Sequence, residues 1–434
     1  MKIYPYFKPL FLFAIIAVAV ISCSKKEDPF VPADPGLTLE LKSDAGTGEL
    51  EVLSVDDVVV FTVLGSDGED YSEMASYYIN DEPISGRTHI FAETGTFAVK
   101  AVYDDINSNV LNFEVLAQTE RALTIDAPRA MKNQTITFGL LDSDGNNEAA
   151  DATFYVNGNA IAGFTFSSSS DGTFEVYAEY VVENEMYTTA PKNFSVYTPK
   201  RKVVIEDYTG TWCGFCPAVA LAIDTAKVAT NHISVVAIHE TGASLPDPMH
   251  FERVQDLKDA FGIGGLPQAR LNRKQKWLDP YNVNDVLAMA GTDTDLAIAI
   301  DSKITGANLT VDVKVVYASG SVTGDKIVVY LVESGIIYAQ ANYFNATSGH
   351  PLEGHGNPIP DFVHNDALRN SLSDIFGDAI TETPAYAEFK KQYSLEIPAE
   401  YNVDNLAVVV MVVDSDNNAK NSQHAEVGEN KTFE

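Results

Sequence analysis

The stretch Glu206-Asp207-Tyr208-Thr209-Gly210-Thr211-Trp212-Cys213-Gly214-Phe215-Cys216-Pro217 lies between two apolar runs, and its reading decides the fold of the middle of the chain. Val203-Val204-Ile205 leads into it, a helix-compatible segment from Ala218 to Thr230 follows, and Ile233 to His239 is a second apolar run. That order predicts a strand, a turn carrying C-x-x-C, a helix and a parallel strand. A C-x-x-C with no second cysteine pair and no Cys or His at ligand spacing is a poor zinc site; in a β-α-β setting it reads as a redox dithiol. The chain has only three cysteines, too few for a disulfide-stapled framework.

The reading assigns roles by position. Cys213 is expected at the start of the helix, where free amides and the macrodipole stabilise a thiolate, the form that attacks disulfides. Lowering a thiol from about 8.5 to about 7 corresponds to roughly 2 kcal/mol. Cys216, expected one turn on and inside the helix, is the resolving thiol, and Trp212 shields the pair.

These residues resemble the thioredoxin superfamily. The resemblance implies that Asp207, six residues before Cys213, is the buried acid that takes up a proton from the resolving cysteine. It also implies that Pro267, in Phe261-Gly-Ile-Gly-Gly-Leu266-Pro267-Gln-Ala-Arg-Leu271, is a cis-proline facing the active site. Asp207 as a surface acid and Pro267 as an ordinary trans proline are the alternatives. Two departures stand out. The segment from Glu240 to Gly265, with an expected helix from Met249 to Phe261, is longer than its counterpart in compact thioredoxins. The dipeptide Gly214-Phe215 also lacks the histidine of oxidising members, which favours a reductant or isomerase.

Upstream, the chain repeats itself. Shifted by 77 residues, Phe61 to Tyr103 falls on Phe138 to Tyr180 with 17 identities in 43 positions. Period-two stretches broken by Ser-Asp-Gly and Asn-Gly turns predict two small Ig-like β-sandwiches. The runs Asp142, Asp144, Asn146 and Asp414, Asp416, Asn418 lack the glycine and glutamate of an EF-hand and read as acidic turns.

Downstream of Gly291 the β pattern returns over Leu296–Ile300, Leu309–Tyr317, Lys326–Val332, Ala387–Ile397 and Leu406–Val413, predicting a third, larger sandwich. Between its strands lies a long excursion with Asn342, His350, His355 and Asn357, then an expected helix from Val363 through Phe376. Such an excursion is functional or disordered. His350, His355 and His364 have no constrained ligand spacing and read as exposed or hydrogen-bonding histidines. Together with the turn at 210–217 and the Gly265-Leu266-Pro267 segment, His364-Asn-Asp-Ala-Leu-Arg369 resembles a Bacteroidota family of outer-membrane lipoproteins named after a twenty-eight-kilodalton outer-membrane protein. The resemblance covers roughly 200 to 434 and implies location more than reaction.

The N-terminus supplies a second pointer to location. Lys2 and Lys8 precede the apolar run Leu10 to Ile21, the layout of a secretory signal, too short to span a bilayer. Its end, Val20-Ile21-Ser22-Cys23, resembles a lipobox, which implies acylation of Cys23; Ser24 resembles outer-membrane sorting and Lys25-Lys26-Glu27-Asp28 a surface-export signal, which implies a lipid anchor at the cell outer membrane, periplasmic or surface-exposed. An ordinary signal peptide with an incidental cysteine is the alternative. Residues 24–36, with Pro29, Pro32, Pro35 and Gly36, read as a flexible tether reaching roughly 20 Å.

The expected architecture is therefore multidomain: signal peptide 1–22, lipidated tether 23–36, tandem Ig-like β-sandwiches 37–117 and 118–198, a thioredoxin-like α/β domain 199–292 and a C-terminal β-sandwich 293–434. The formal charge of −32 excludes nucleic acid as a partner. Its distribution is uneven: residues 37–198 carry −20 (7 basic, 27 acidic), 293–434 carry −13 (8 basic, 21 acidic), and 199–292 balance at ten and ten. The redox candidate is thus an electroneutral module between acidic sandwiches. No cofactor or metal is expected. The sequence reading is thiol-disulfide exchange on extracytoplasmic protein substrates, with Cys213, Cys216, Asp207 and Pro267 as the site. A non-enzymatic surface-binding lipoprotein, whose Cys213–Cys216 disulfide is structural, is the alternative; in either case membrane contact is through the lipid only.

Overall fold

The computed structural model describes residues 37–45, 51–117, 119–243 and 245–434; the expected signal, Cys23 and the tether lie outside these residues. No helix among the described residues is long and apolar enough to cross a membrane.

The 77-residue repeat becomes two sandwiches with matching strand orders. In the first, Leu39–Ser43, Val58–Gly65 and Thr88–Ile90 form one sheet. The facing sheet runs Glu51–Ser54, Leu111–Leu116, Gly95–Tyr103, Ser76–Ile79, Glu82–Ile84, with Ile106–Asn107 as a sixth strand beside Gly95–Tyr103. The second copy has the same three-stranded and six-stranded sheets. Alternating side chains fill each interior, and equivalent aromatics meet at the centre: Phe61 and Tyr77 stack at 5.9 Å between ring centroids, Phe138 and Phe154 at 5.7 Å. Even the hairpin turns agree. Asn80 and Asn157 both adopt φ 49°, a left-handed conformation that asparagine tolerates, and their side chains accept the amides of Ala98 and Glu175 at 2.9 Å each. The acidic runs are turns as expected: Asp142 accepts the amides of Asp144 and Asn146, and Asp414 those of Asp416 and Asn418.

Most of the remaining strands share one large sheet. The C-x-x-C segment folds as β1 (Val203–Thr209), α1 (Pro217–Ala229), β2 (Ile233–His239), α2 (Val254–Phe261), β3 (Gln268–Leu271), β4 (Gln275–Trp277) and α3 (Val283–Leu287). Strand β1 pairs parallel with β2 and antiparallel with β3. Beyond Gly291 come β5 (Lys326–Glu333), β6 (Ile336–Gln340), β7 (Ile359–His364), β8 (Ala367–Ser371), β9 (Leu406–Val413) and β10 (Ala419–Glu426). The sheet runs β4-β3-β1-β2-β8-β5-β9-β10, with Asp378–Ala379 as a short ninth strand beside β5. The expected division between 292 and 293 is therefore crossed by a continuous sheet, joined at the parallel pair Ala237–Ala367 and by the Ala237 amide donating to the Asp366 carbonyl.

Both faces of this sheet are covered. On one side, Val203, Ile205, Val235, Ala269 and Leu271 pack against α1 and α3 through Val219, Ile223 and Val286. On the other, Val204, Tyr208, Val236 and Ile238 share a core with Val328, Tyr330, Met411 and Val413. The second sheet of the C-terminal sandwich (Leu296–Thr305, Asn308–Tyr317, Glu388–Glu396, Asn430–Lys431) packs on β5 and β9. The expected helix from Val363 through Phe376 is instead the end of β7, strand β8 and a loop. Its apolar residues do not form one stripe: Leu368 is buried with the main sheet while Val363 is exposed.

Candidate functional site

Cys213 and Cys216 are joined by a disulfide with their Cα atoms 5.4 Å apart. The helix does not start at Cys213. Pro217 has no amide hydrogen and a φ preset for the first helical position, so α1 starts there and Cys216 becomes its N-cap. Cys216 is thus at the helix start rather than inside it, and Cys213 sits in the preceding turn, its amide donating to the Gly210 carbonyl at 3.0 Å. Trp212 lies over Gly210 and Gly242, where no Cβ would fit at van der Waals distance, and its indole donates to the Glu240 carbonyl.

Strand alternation sends Asp207 to the α1 face and Glu206 to the opposite one. Asp207 is 3% exposed and its Oδ1 has no hydrogen-bond partner. Burial without a compensating partner disfavours the carboxylate and pushes Asp207 up to about 8. Glu206 behaves differently because Arg273 reaches it at 2.8 Å inside the core, while Tyr330 accepts from Arg273 at 2.6 Å and Tyr208 donates to Glu206 at 3.2 Å. Adjacent acids, one neutralised by an ion pair and one left unpartnered, are not surface acids. The Leu266–Pro267 bond is cis, and since Gln268 pairs with Tyr208, Pro267 falls beside Thr209, at the end of β1 from which the C-x-x-C turn departs.

The excursion flagged in the sequence covers the disulfide. Strands β6 and β7 form their own antiparallel pair, and the loop between them folds back as a strap over residues 211–215. The Ala341 amide donates to the Thr211 carbonyl at 2.8 Å and the Tyr343 amide to that of Gly214 at 2.9 Å. The buried Gln340 carboxamide donates to the carbonyls of Cys213 (2.9 Å) and Gly210 (3.3 Å). The Tyr343 ring lies directly on Gly214, where a Cβ would meet it at 2.4 Å, and packs edge-on against Phe215 with centroids 5.1 Å apart. Asn342, fully buried, holds the loop by donating to the Leu352 and Gly356 carbonyls. As a result Cys213 is 5% and Cys216 2% exposed.

A second buried pair lies nearby. His239 Nδ1 is 2.9 Å from Asp247 Oδ2, which also accepts the Thr211 amide, while Asp247 Oδ1 accepts that of Met249. Burial alone would raise Asp247; the hydrogen bond and charge of His239, with the two amides, outweigh it and hold the carboxyl below its usual range. His364 packs edge-on against His239, and burial pushes it down to about 4. Of the other candidate histidines, His350 stacks on Phe344 at 4.0 Å. Sequence reasoning missed Gln340, Tyr343, the Glu206–Arg273 pair and the His239–Asp247 pair. The aromatic pair Tyr343-Phe344 in an otherwise polar loop was the available signal for the strap.

With the geometry in hand, residues 254–431 match the family described as outer membrane protein Omp28. The match begins at α2, so the C-x-x-C turn and both Ig-like modules lie outside it. No curated protein matches the chain. Among solved structures, HBP35 of Porphyromonas gingivalis is 16% identical, covering 54% of this chain and 77% of that one, with a TM-score of 0.42. The fibronectin(III)-like modules of Clostridium thermocellum CbhA are 19% identical over 36% of this chain and 93% of theirs, with a TM-score of 0.17. Likenesses of this size carry no argument about what the chain does. The protein is mostly β-sheet, with an internal disulfide, and is similar over its C-terminal part to an outer-membrane protein family.

Proposed function

We propose that this chain is a lipid-anchored outer-membrane protein whose thioredoxin-like segment carries out thiol-disulfide exchange on extracytoplasmic protein substrates. The observation that supports the reading best is the disulfide at the N-terminus of α1 with the unpartnered Asp207 beneath it on β1. In the oxidised form, a substrate thiolate attacks Cys213 Sγ; the Cys213–Cys216 bond breaks and Cys216 leaves as a thiolate. Asp207, protonated at neutral pH, supplies the proton that this thiolate takes up. A second substrate thiolate then attacks the mixed disulfide and releases Cys213. Two electrons pass from substrate to protein, and the same steps reversed reduce a substrate disulfide. Pro267, at the edge of the turn, shapes the peptide site.

Insulin reduction and trapping of mixed disulfides by Cys216→Ser test the reading. Turnover and trapped extracytoplasmic partners are expected; neither, with folded protein, would sink it.

The strap favours a second reading, a surface-binding lipoprotein with a permanent disulfide, because it leaves both sulfurs almost wholly covered. The reduction potential separates the two: below about −300 mV the pair is structural, whereas roughly −120 to −270 mV is the range of working catalysts.

A further inference from the structure

A cavity of about 60 Å³, with Gln340 at the end of β6 on its edge, lies between α1, β1, β2 and β7, lined among others by Asp207, Cys216, His239, His364, Asp224 and Asp366. Asp207, His239 and His364 offer polar partners among apolar neighbours such as Ile223 and Val235, and the size suits about two water molecules. The strand register explains the gathering. Asp207 pairs with Ala237 and Thr209 with His239 in the parallel ladder, so alternation turns Asp207 and His239 to the same face, roughly 8 Å apart at Cα. Asp224 on the exposed side of α1 brings the lining to solvent.

His239 is prepared for one task. Asp247 is an ionised, acceptor-only group, so Nδ1 of the ring must donate to it, which fixes the tautomer and leaves Nε2 as the acceptor of the neutral imidazole. A dyad of this kind, buried at the dithiol, has no part in the steps given above. We propose that His239, held by Asp247, relays protons between solvent and Asp207 through water in this cavity, so that Asp207 can be reset in each redox cycle.

The proposal rests on the exchange chemistry proposed above and deepens it. On reduction, Asp207 gives its proton to the Cys216 thiolate; solvent protonates His239 at Nε2, Asp247 stabilises the imidazolium, and the Nε2 proton passes through water to the Asp207 carboxylate. On oxidation, the proton lost by the Cys216 thiol travels the other way. His239 is a positioning residue in this scheme, acting through Asp207. The other charged and titratable groups around the path are His364 from β7, Asp366 ahead of β8 paired with Lys227, Asp224 from α1, and His250, which accepts the Thr241 amide.

The experiment has two arms. The titration of His239 is followed by NMR in the full-length protein and in Asp207→Asn, its signal assigned by loss in His239→Gln. Closure of the disulfide is followed in single turnovers, using reduced protein and a small aromatic disulfide as oxidant, across pH. Asp207 is neutral below about 8, so the His239 signal is expected to show an inflection near that pH as the carboxyl ionises, and Asp207→Asn is expected to abolish it. His239→Gln and Asp247→Asn are each expected to slow closure about tenfold and to displace its pH profile. A His239 signal without that inflection, or with one that survives in Asp207→Asn, overturns the proposal, as does unchanged closure in folded His239→Gln. Should His239→Gln fail to fold, Asp247→Asn supplies the rate. Neither arm uses a protein substrate, so a chain inert toward insulin still reports on the relay.

Discussion

Tyr343 donates its backbone amide to the carbonyl of Gly214, the residue immediately after Cys213, and lays its ring over the same glycine. A residue of the C-terminal sandwich thereby occupies the face of the C-x-x-C turn that a partner's backbone would use, in the manner of an added strand. Any protein substrate must displace it.

Loosening the strap should therefore expose the sulfurs. Gln340→Ala removes the carboxamide that binds the Cys213 and Gly210 carbonyls, and a hydrogen bond worth about 1 kcal/mol corresponds to roughly fivefold in accessibility. Reduction of the disulfide by a bulky phosphine should accelerate by about that factor; an unchanged rate would show that the strap does not limit access.

Stability should peak near neutrality. Burial pushes His364 and His424 down to about 4, so the folded form resists their protonation and stability is lost as pH falls from about 6.5 towards 4. Asp207 acts oppositely: raised to about 8, it holds a proton that the unfolded chain has lost, so its share of stability falls as pH rises from about 4 to 8. Two histidines outweigh one carboxyl below about 6.5, and Asp207 governs above it. Denaturant midpoints should show this maximum, and Asp207→Asn should remove the alkaline decline, worth at most about 1.4 kcal/mol per pH unit. A decline that survives in Asp207→Asn would reject the assignment.

Breaking the Glu206–Arg273 pair should destabilise both sides of the shared core together. Arg273→Met leaves Glu206 charged and unpaired in the interior, a loss of about 3 to 5 kcal/mol. The two tryptophans, Trp212 and Trp277, report on the C-x-x-C segment, and far-ultraviolet circular dichroism reports on the sheets. The two signals for a fragment starting at residue 199 should move in one coincident transition; separate transitions would mean two independent domains.

The duplicated modules allow a paired test. Phe61→Ala and Phe138→Ala each delete the fully buried ring at the centre of one sandwich and should each cost about 3 to 5 kcal/mol. Proteolytic susceptibility should rise only in the module that carries the change.

Much of this was legible where local pattern and packing agree. The bounds of β2 and β9 follow directly from predominantly apolar runs, because both strands are buried on both faces. The two Ig-like modules were readable because a shared register repeats at 77 residues, down to Asn80 and Asn157. Cys216 was misplaced by about one turn because Pro217 sets where α1 begins. A helix was expected from Val363 through Phe376, yet Leu368 and Ile375 are buried in the core shared with β5 while Val363, on β7, is exposed. The landing place of the strap and the His239–Asp247 pair were beyond reach. Each joins segments through irregular loops, and neither β patterning nor helical periodicity constrains where such loops return.

The single residue pair by which β2 meets β8, Ala237 with Ala367, also bears on folding and solubility. Excised at residue 292, the C-x-x-C segment would present β2, with Val235, Val236 and Ile238, as an uncovered edge strand, a template for pairing with further copies. In the intact chain that edge is capped at Ala237 by a strand synthesised more than a hundred residues later, so the newly made C-x-x-C segment depends on the C-terminal part of the chain to protect it from self-association.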